Sequence, residues 1–464
     1  MLLRVSLFGI VLLSQLPAAS AGDLHIGRAA VDITPIVGTP MLVAQRPPFE
    51  LKIAGKAHDP IHVKATVVEQ GDVRAALVEC DLTSIPLKII QEARRLIGKS
   101  TKIDPANVLI AATHCHTVPQ LRARFLGKYD EKARQLGLDY IASLPAKIAE
   151  AVKLAEGDLQ PGKVSVVVGK EDSVSFNRRY FLRDGTVLTN PFKTENEKLD
   201  QVMRPAGPTD PEVGVVAFEN KDGLPLAMLI NFSLHLDTMG GDRPSADFPY
   251  TVEQTLKEAF GPQVLSYWAS GASGNINHYF LMDPVKFHRT KGPQESARIG
   301  RILGAEVLRA YPHREFVRDT PLKVAHQLVR LDYHPEKAAA LLAKMKDSPR
   351  FFDDEVEVSN DHGKLTFDAE VQVISLGNEL AWVGLPGEMF VEFGLALKNA
   401  SPFRYTMIHS LANGAIGYVP NRKAYPEGSY EATATRCAPG SGERLVEAAT
   451  ELLIKLKDTH LHEN

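Results

Sequence analysis

The strongest constraint on this chain is an alternation of two sequence periods. Short runs rich in Val, Ile and Leu, such as VKATVVEQ at 63–70, NVLIAATH at 107–114, VGVVAFEN at 213–220, LAMLINFSLH at 226–235 and LAWVGLPG at 380–387, have the length and composition of strands. Between them lie segments with helical period, among them PLKIIQEARRLIG at 86–98, YTVEQTLKEAF at 250–260, QESARIGRILGAEVLRAY at 294–311 and ERLVEAATELLIKLK at 443–457. Strands alternating with helices predict an α/β or layered α+β fold, with β-sheets flanked by helices. No repeat, low-complexity tract or Pro/Gly/Ser linker breaks the pattern. Residues 22–464 therefore read as one large domain or two closely merged lobes.

Of the 464 residues 44% are hydrophobic and 23% charged, enough apolar mass for a large core. The formal net charge is −3 and no basic block occurs, which argues against nucleic acid as a partner. Residues 1–21, MLLRVSLFGIVLLSQLPAASA, place Arg4 before an apolar stretch and end in Ala19-Ser20-Ala21, the pattern of a cleavable signal peptide. The apolar stretch falls short of the roughly 20 residues that cross a bilayer, and no later segment supplies them, so no transmembrane helix is expected. The mature protein is then secreted or periplasmic and starts near Gly22. Cys80, Cys115 and Cys437 can form one disulfide at most, and their spacing lacks the C-x-x-C pattern, which argues against a structural zinc-thiolate site.

Polar groups with useful chemistry appear where the apolar runs stop. NVLIAAT leads to His114, LAMLINFSL to His235, LAWVGLPG to Glu388, and VLSYWAS to the glycine-rich GASGNIN. Sites of open α/β sheets lie at the carboxyl ends of strands, so a site is expected there. In ATHCHTVPQ, an extended backbone would point His114 and His116 to one face and Cys115 to the other. Two imidazoles on one face can share a metal, or divide ligation and proton transfer between them; two surface histidines in a polar loop would give the same pattern.

The ordered motifs VDITP, ATHCHTVP, FNRR, NFSLHLDTM, SADFPY, GASGNIN, LPGE, GYVP and GSYEA, spread over residues 25–445, resemble the amino-terminal catalytic domain of the neutral ceramidases. The family pattern T-H-T-H-S-G-P reads T-H-C-H-T-V-P here, and Tyr418 and Tyr430 keep the family spacing of its two tyrosines. The resemblance implies a zinc-dependent amidohydrolase acting on a ceramide-like N-acyl lipid. It makes His114, His235, Glu388 and Tyr430 the zinc ligands, His116 the proton carrier, and Arg178 and Tyr418 donors to a developing oxyanion. Zinc so held would bring the pKa of a bound water toward about 7.

Other readings stand beside these. His235 reads equally as a satisfied core histidine, Glu388 as a charge in the first turn of a helix EMFVEFGLALK, the tyrosines as packing aromatics and Arg178 as loop charge. Asp32, Asp81 and Asp247 read as turn, capping or supporting groups. The chain also departs from the family. The family's G-D-V-S-P-N is Gly274-Asn275-Ile276-Asn277-His278 here, so Asn277 replaces the serine regarded as catalytic. Asparagine cannot be an acyl nucleophile, although it can donate a hydrogen bond or orient a substrate. The carboxyl-terminal sandwich domain of ceramidases is not expected within residues 22–464. A zinc esterase or amidase acting on another substrate, carbohydrate-linked for example, and a non-catalytic envelope binding protein are the alternatives.

Overall fold

The computed structural model describes residues 24–42, 51–191, 196–282, 290–318, 321–345, 348–352 and 355–461; the signal-peptide segment 1–21 lies outside them. The expected α/β layering is present, as four layers. The strands read from the apolar runs form a nine-stranded mixed sheet with the order Leu265–Ser270, Pro225–Phe232, Glu212–Asn220, Gln160–Lys170, Leu24–Asp32, His62–Gln70, Val73–Cys80, Val108–Ala112. Glu315–Phe316 adds to Gln160–Lys170. A second sheet runs Arg350–Phe352, Glu357–Asp361, Lys364–Leu376, Leu380–Gly384, Tyr405–His409, with Leu322–Asp332 also paired to Lys364–Leu376.

Continuous apolar runs suit strands whose two faces are both covered. In Pro225–Phe232, Met228, Ile230 and Phe232 face the helices Leu87–Ser100, Glu131–Gly157, Phe248–Phe260 and Pro293–Ala310, while Ala227 and Leu229 pack into the layer between the sheets. Val73–Cys80 divides in the same way, with Ala76, Val78 and Cys80 on the helix side and Ala75 and Leu77 on the other. Trp382, Leu380, Ile374 and Met407 close the inter-sheet layer from the second sheet. On that sheet's far side Val371, Val373, Ala381 and Val383 pack on Ser441–Leu461, Val391–Ala400 and Pro335–Met345.

Within the two large sheets three strand pairs are parallel, and each is bridged by a helix, as a parallel connection requires. Val73–Cys80 joins Val108–Ala112 through Leu87–Ser100, Pro225–Phe232 joins Leu265–Ser270 through Phe248–Phe260, and Leu380–Gly384 joins Tyr405–His409 through Val391–Ala400. The large sheet is not flat. Leu24–Asp32 and Gln160–Lys170 pair only at His25↔Pro161 and Ile26↔Gln160, and the two halves diverge from that short join. Strand Leu265–Ser270 returns beside the other half, where Ser270 Oγ donates to Thr113 O at 2.7 Å and the Lys64 ammonium to Ser266 O at 2.8 Å. All three parallel pairs thereby open their carboxyl ends onto one rim.

Asn231 ties the sheets behind that rim. Its amide donates to Ala269 O (2.9 Å) and Ile408 O (2.6 Å), and its carbonyl accepts from Ile408 N (3.2 Å). Cys80, Cys115 and Cys437 are all free, buried thiols, so the one disulfide the sequence allows does not form. Replacing Asn231 with Ala leaves buried backbone groups of both sheets unpaired, at a cost of about 2–4 kcal/mol. Chemical denaturation should show the loss as a lower midpoint; an unchanged midpoint would mean that the sheets are held together without it.

Candidate metal centre

The segment after Val108–Ala112 does not stay extended. His114 has φ +74°, a left-handed conformation that a residue with a Cβ adopts at a cost of roughly 1–2 kcal/mol. Its amide nevertheless bonds to Leu82 O at 2.9 Å, so the surroundings hold the kink. His114 and His116 still meet, with ring centroids 4.7 Å apart, but through the kink and not through strand alternation. Cys115 turns away and donates its thiol to Ala246 O at 3.3 Å.

Three imidazoles converge at the rim: His114, His116 and His235 form a group that can hold a metal ion. Nε2 of His114 lies 3.0 Å from Nε2 of His235 and 3.3 Å from Nε2 of His116. Glu388 brings Oε2 to 3.2 Å from His114 Nε2 and 3.5 Å from His235 Nε2. The tautomers of two rings are set from behind. His114 Nδ1 donates to Thr83 O (2.8 Å) and His235 Nδ1 to Ser273 O (2.9 Å), so each neutral ring turns an Nε2 lone pair toward the other.

Two lone pairs cannot hydrogen-bond to each other, and Glu388 Oε2 is buried with no well-formed hydrogen bond either. Nitrogens bound to zinc at 2.0–2.1 Å in a tetrahedral shell stand about 3.3 Å apart, close to the separations here. The donor set thus fits a divalent cation with a preference for nitrogen and oxygen. Burial and the Arg178 guanidinium push His235 down to about 4, which keeps its ring neutral and available as a ligand near neutral pH. Burial, with His114 beside it, pushes the His116 ring well below the usual histidine range.

Glu388 does not start a helix. Glu388–Met389 is a short strand paired in parallel with Tyr418–Val419, and the helix begins at Val391, so the helix-dipole reading of Glu388 is excluded. Its register partner is Tyr418, whose side chain consequently stands on the same face. Gly274 passes against this strand: its amide donates to Met389 O at 2.7 Å, and a Cβ there would collide with Glu388 O. The need for glycine in GASGN is this close approach.

Arg178 is buried and held on two sides, with Nε donating to Glu431 Oε1 (2.7 Å) and Nη2 to Gly274 O (2.6 Å). Nη1 is directed into the site, 3.4 Å from His235 Nε2. Burial opposes its charge, but Tyr418, Glu431 and Glu388 keep it firmly protonated, and it hydrogen-bonds the Tyr418 phenol. Tyr430 in turn hydrogen-bonds Tyr418. These groups, with Glu388 and the three histidines, line one cavity of about 460 Å³.

Asn277 is placed differently. It is fully buried and is not among the residues lining that cavity, and its Nδ2 has no partner among the described residues. The short strand Ile276–Asn277 pairs with Phe176–Asn177, while Asn275 O accepts from Arg178 N (2.9 Å), so this segment positions Arg178 through its backbone. Asp247 caps Phe248–Phe260 and also accepts from Thr238 N and Met239 N, both at 3.0 Å, which holds the turn after His235. Asp32 closes a local turn by accepting from Thr34 N (2.6 Å), and Asp81 accepts from His62 N (2.9 Å). Sequence reasoning missed Glu431. Its carboxylate binds Arg178, Arg179 and Thr189, and its place beside Tyr430 in GSYEA was the only cue.

If this site holds a metal, the purified protein carries about one zinc ion per chain and His235→Ala loses most of it, since four-ligand sites depend on each ligand. His116→Ala retains the ion. Tyr430→Phe weakens retention, whereas Tyr418→Phe keeps the ion. Elemental analysis of the purified variants checks all four outcomes, and a reversed result for the tyrosines would exchange their roles.

No family model matches the sequence, and no curated protein does. Solved structures match over most of the chain. Neutral ceramidase from Pseudomonas aeruginosa superposes with a TM-score of 0.70 at 18% identity, covering 94% of this chain and 75% of that one. A structure described as ceramidase complexed with C2 superposes with a TM-score of 0.71 at 18% identity, covering 94% and 76%. The protein therefore has the neutral ceramidase fold, with a buried three-histidine group able to hold a metal ion at the carboxyl ends of its parallel strands.

Proposed function

We propose that the protein is a zinc-dependent hydrolase that cleaves an acyl amide, a ceramide-like N-acyl lipid in the first instance. The observation that carries this reading is the convergence of the His114 and His235 lone pairs and the Glu388 carboxylate on one point of a cavity wall. A zinc ion held there supplies Lewis acidity and an activated water near neutral pH. His114, His235, Glu388 and Tyr430 form its shell. Arg178 Nη1 and the Tyr418 hydroxyl are the donors to the carbonyl oxygen as it gains negative charge, and the anchoring of Arg178 to Glu431 and Gly274 means little reorganisation of the guanidinium as that happens. His116 moves the proton to the departing nitrogen.

Hydrolysis of a different ester or amide, carbohydrate-linked for example, is the second reading, and Asn277 favours it. The residue that replaces the family serine lies outside the cavity lining and offers no nucleophile. The reading also includes export: mass spectrometry of protein exported from a bacterial host should give an amino terminus at Gly22 or within a few residues.

The deciding experiment is a panel of acyl substrates, including a labelled N-acyl sphingosine, a simple ester and an acetamide, run with and without a chelator. Cleavage is expected to be chelator-sensitive. Glu388→Ala abolishes it together with metal binding, and Arg178→Ala lowers it by about 10²–10³, the effect of one lost oxyanion donor. Asn277→Ala costs no more than that, and Asn277→Ser leaves the rate on N-acyl sphingosine unchanged. Chelator-insensitive cleavage would overturn the metal mechanism, and activity confined to the simple ester or acetamide would select the second reading.

A further inference from the structure

The layer between the two large sheets buries a titratable pair that the candidate metal centre does not use. Glu79, near the end of Val73–Cys80, and His409, at the end of Tyr405–His409, are 1% and 0% exposed. His409 Nδ1 lies 2.6 Å from Glu79 Oε1, while Glu79 Oε2 and His409 Nε2 have no partner among the described residues. The surrounding strands offer Glu79 no other countercharge. Leu265–Ser270, Pro225–Phe232, Val108–Ala112 and Leu380–Gly384 contain no Asp, Glu, Lys, Arg or His. Lys64, the register partner of Glu79 on His62–Gln70, gives its ammonium to Glu253 and to Ser266 O. On Lys364–Leu376, Glu370 is paired with Arg94, Asp368 with Arg330 and Lys364 with Asp332. On Leu322–Asp332, His326 is exposed and Lys323 shares the far face with Ala325. Glu392 and Lys398 belong to Val391–Ala400, on the side of the sheet to which Ile408 points. Burial raises the Tyr267 phenol and the Cys80 thiol, and the charge of Glu79 adds to both, so these two groups stay neutral. Burial pushes the Glu79 carboxyl up as well; His409 opposes the rise and Asp81 adds to it.

An uncompensated carboxylate in such a layer costs more than one unmatched N–H. We propose that Glu79 and His409 keep one proton between them beyond the pH at which a free imidazole loses it, and that this uncharged pair is a pH-sensitive clasp between the sheets. Two arrangements do this: an imidazolium donating to the carboxylate, or a carboxyl group donating to Nδ1 of a neutral ring. Both place a proton on Nε2. The clasp sits under the rim because His409 leads into a turn that joins the ligand-bearing segments. Ser410 N donates to Ser270 O (2.9 Å), Ala412 N to Leu385 O (2.9 Å) and Asn413 N to Ile110 O (2.7 Å). Leu411 and Asn413 hold this turn at φ +54° and +58°. It thereby ties the strand that runs on to His114 to the segment that runs on to Glu388. Loss of the shared proton strands a charge beneath the turn and loosens both. The clasp stands independently of the hydrolase reading, since it belongs to the fold and needs no substrate.

In the unfolded chain Glu79 ionises near about pH 4.3 and His409 near about pH 6.5. Between those values folded and unfolded pairs each hold one proton, and the contribution to stability is fully present. Above about pH 6.5 the unfolded pair has released a proton that the folded pair keeps, so stability falls as pH rises, until the folded pair ionises too. Urea unfolding of the whole protein as a function of pH, on the parent and on Glu79→Gln, isolates this effect. The amide of the variant can donate to His409 Nδ1 and has no proton to lose. Relative to the variant, the unfolding constant of the parent should rise by up to about tenfold per pH unit above about pH 6.5, the effect of one proton. Parallel profiles would overturn the shared proton.

Nitrogen NMR of the parent labelled in its histidine rings settles the same point without a substitution. At about pH 7.5 His409 Nε2 should still carry a proton, while the fully exposed ring of His362 has titrated. A bare Nε2 beside a protonated Nδ1 would mean that Glu79 is a lone carboxylate, and the proposal fails. Amide hydrogen exchange reads the link to the rim. Protection factors at Ala412 and Asn413 should fall across the same pH range in the parent and stay level in Glu79→Gln. Level protection in both, with the parent's stability still falling, would overturn the clasp's hold on the ligand-bearing segments.

Discussion

The Nε2 atoms of His114 and His235 face each other across 3.0 Å, each ring committed from behind to a backbone carbonyl. Between two neutral rings the contact cannot become a hydrogen bond unless one of them releases Thr83 O or Ser273 O. Glu388 adds a buried carboxylate to the same point, and the arrangement makes electrostatic sense around a cation. Much of the rim serves this contact. The left-handed kink at His114, the glycine at 274 and the turn held by Asp247 each bring one donor into place at some cost in backbone freedom. Backbone strain of this kind persists where surrounding structure over-determines it.

Behind the donors lies a buried charge network. Glu431 accepts from both Arg178 and Arg179 and from Thr189, and Arg179 also reaches Glu427 at 3.1 Å. Breaking such a network leaves a buried charge uncompensated, so its members act together. The result is a guanidinium with two nitrogens engaged and one turned toward the three-histidine group. A donor fixed before reaction begins is the kind that lowers a barrier most.

The strands and helices were largely legible, because their periods survive in the residues. The segments 86–98, 250–260 and 294–311 agree within two residues at each end with the helices Leu87–Ser100, Phe248–Phe260 and Pro293–Ala310. Legibility failed where backbone geometry leaves the regular periods. EMFVEFGLALK looked helical from its first residue, yet Glu388–Met389 is taken into a strand by Tyr418–Val419, a partner far along the chain. His114 and His116 meet for a reason other than the alternation their spacing suggested, because a positive φ intervenes. Asn277 occupies the family serine's place in the sequence and lies outside the cavity lining. Glu431 had no period or pattern of its own, since what makes it central is two arginines from a segment more than two hundred residues away.

By itself the sequence determined the covered, double-faced strands, the helices between them, and the chemical types that end several strands on one rim. Those properties follow from side-chain polarity and spacing, which are local. The tertiary structure decided which lone pairs meet. The short join between Leu24–Asp32 and Gln160–Lys170 lets the large sheet diverge and return until Ser270 meets Thr113, and only then do His114 and His235 come within 3.0 Å. It also decided that Arg122, Arg124, Lys337, Lys344 and Arg436, scattered through a chain of nearly balanced charge, line one cavity. Net charge is a sum over residues, whereas a binding potential depends on the distances between them, and those distances are set by packing.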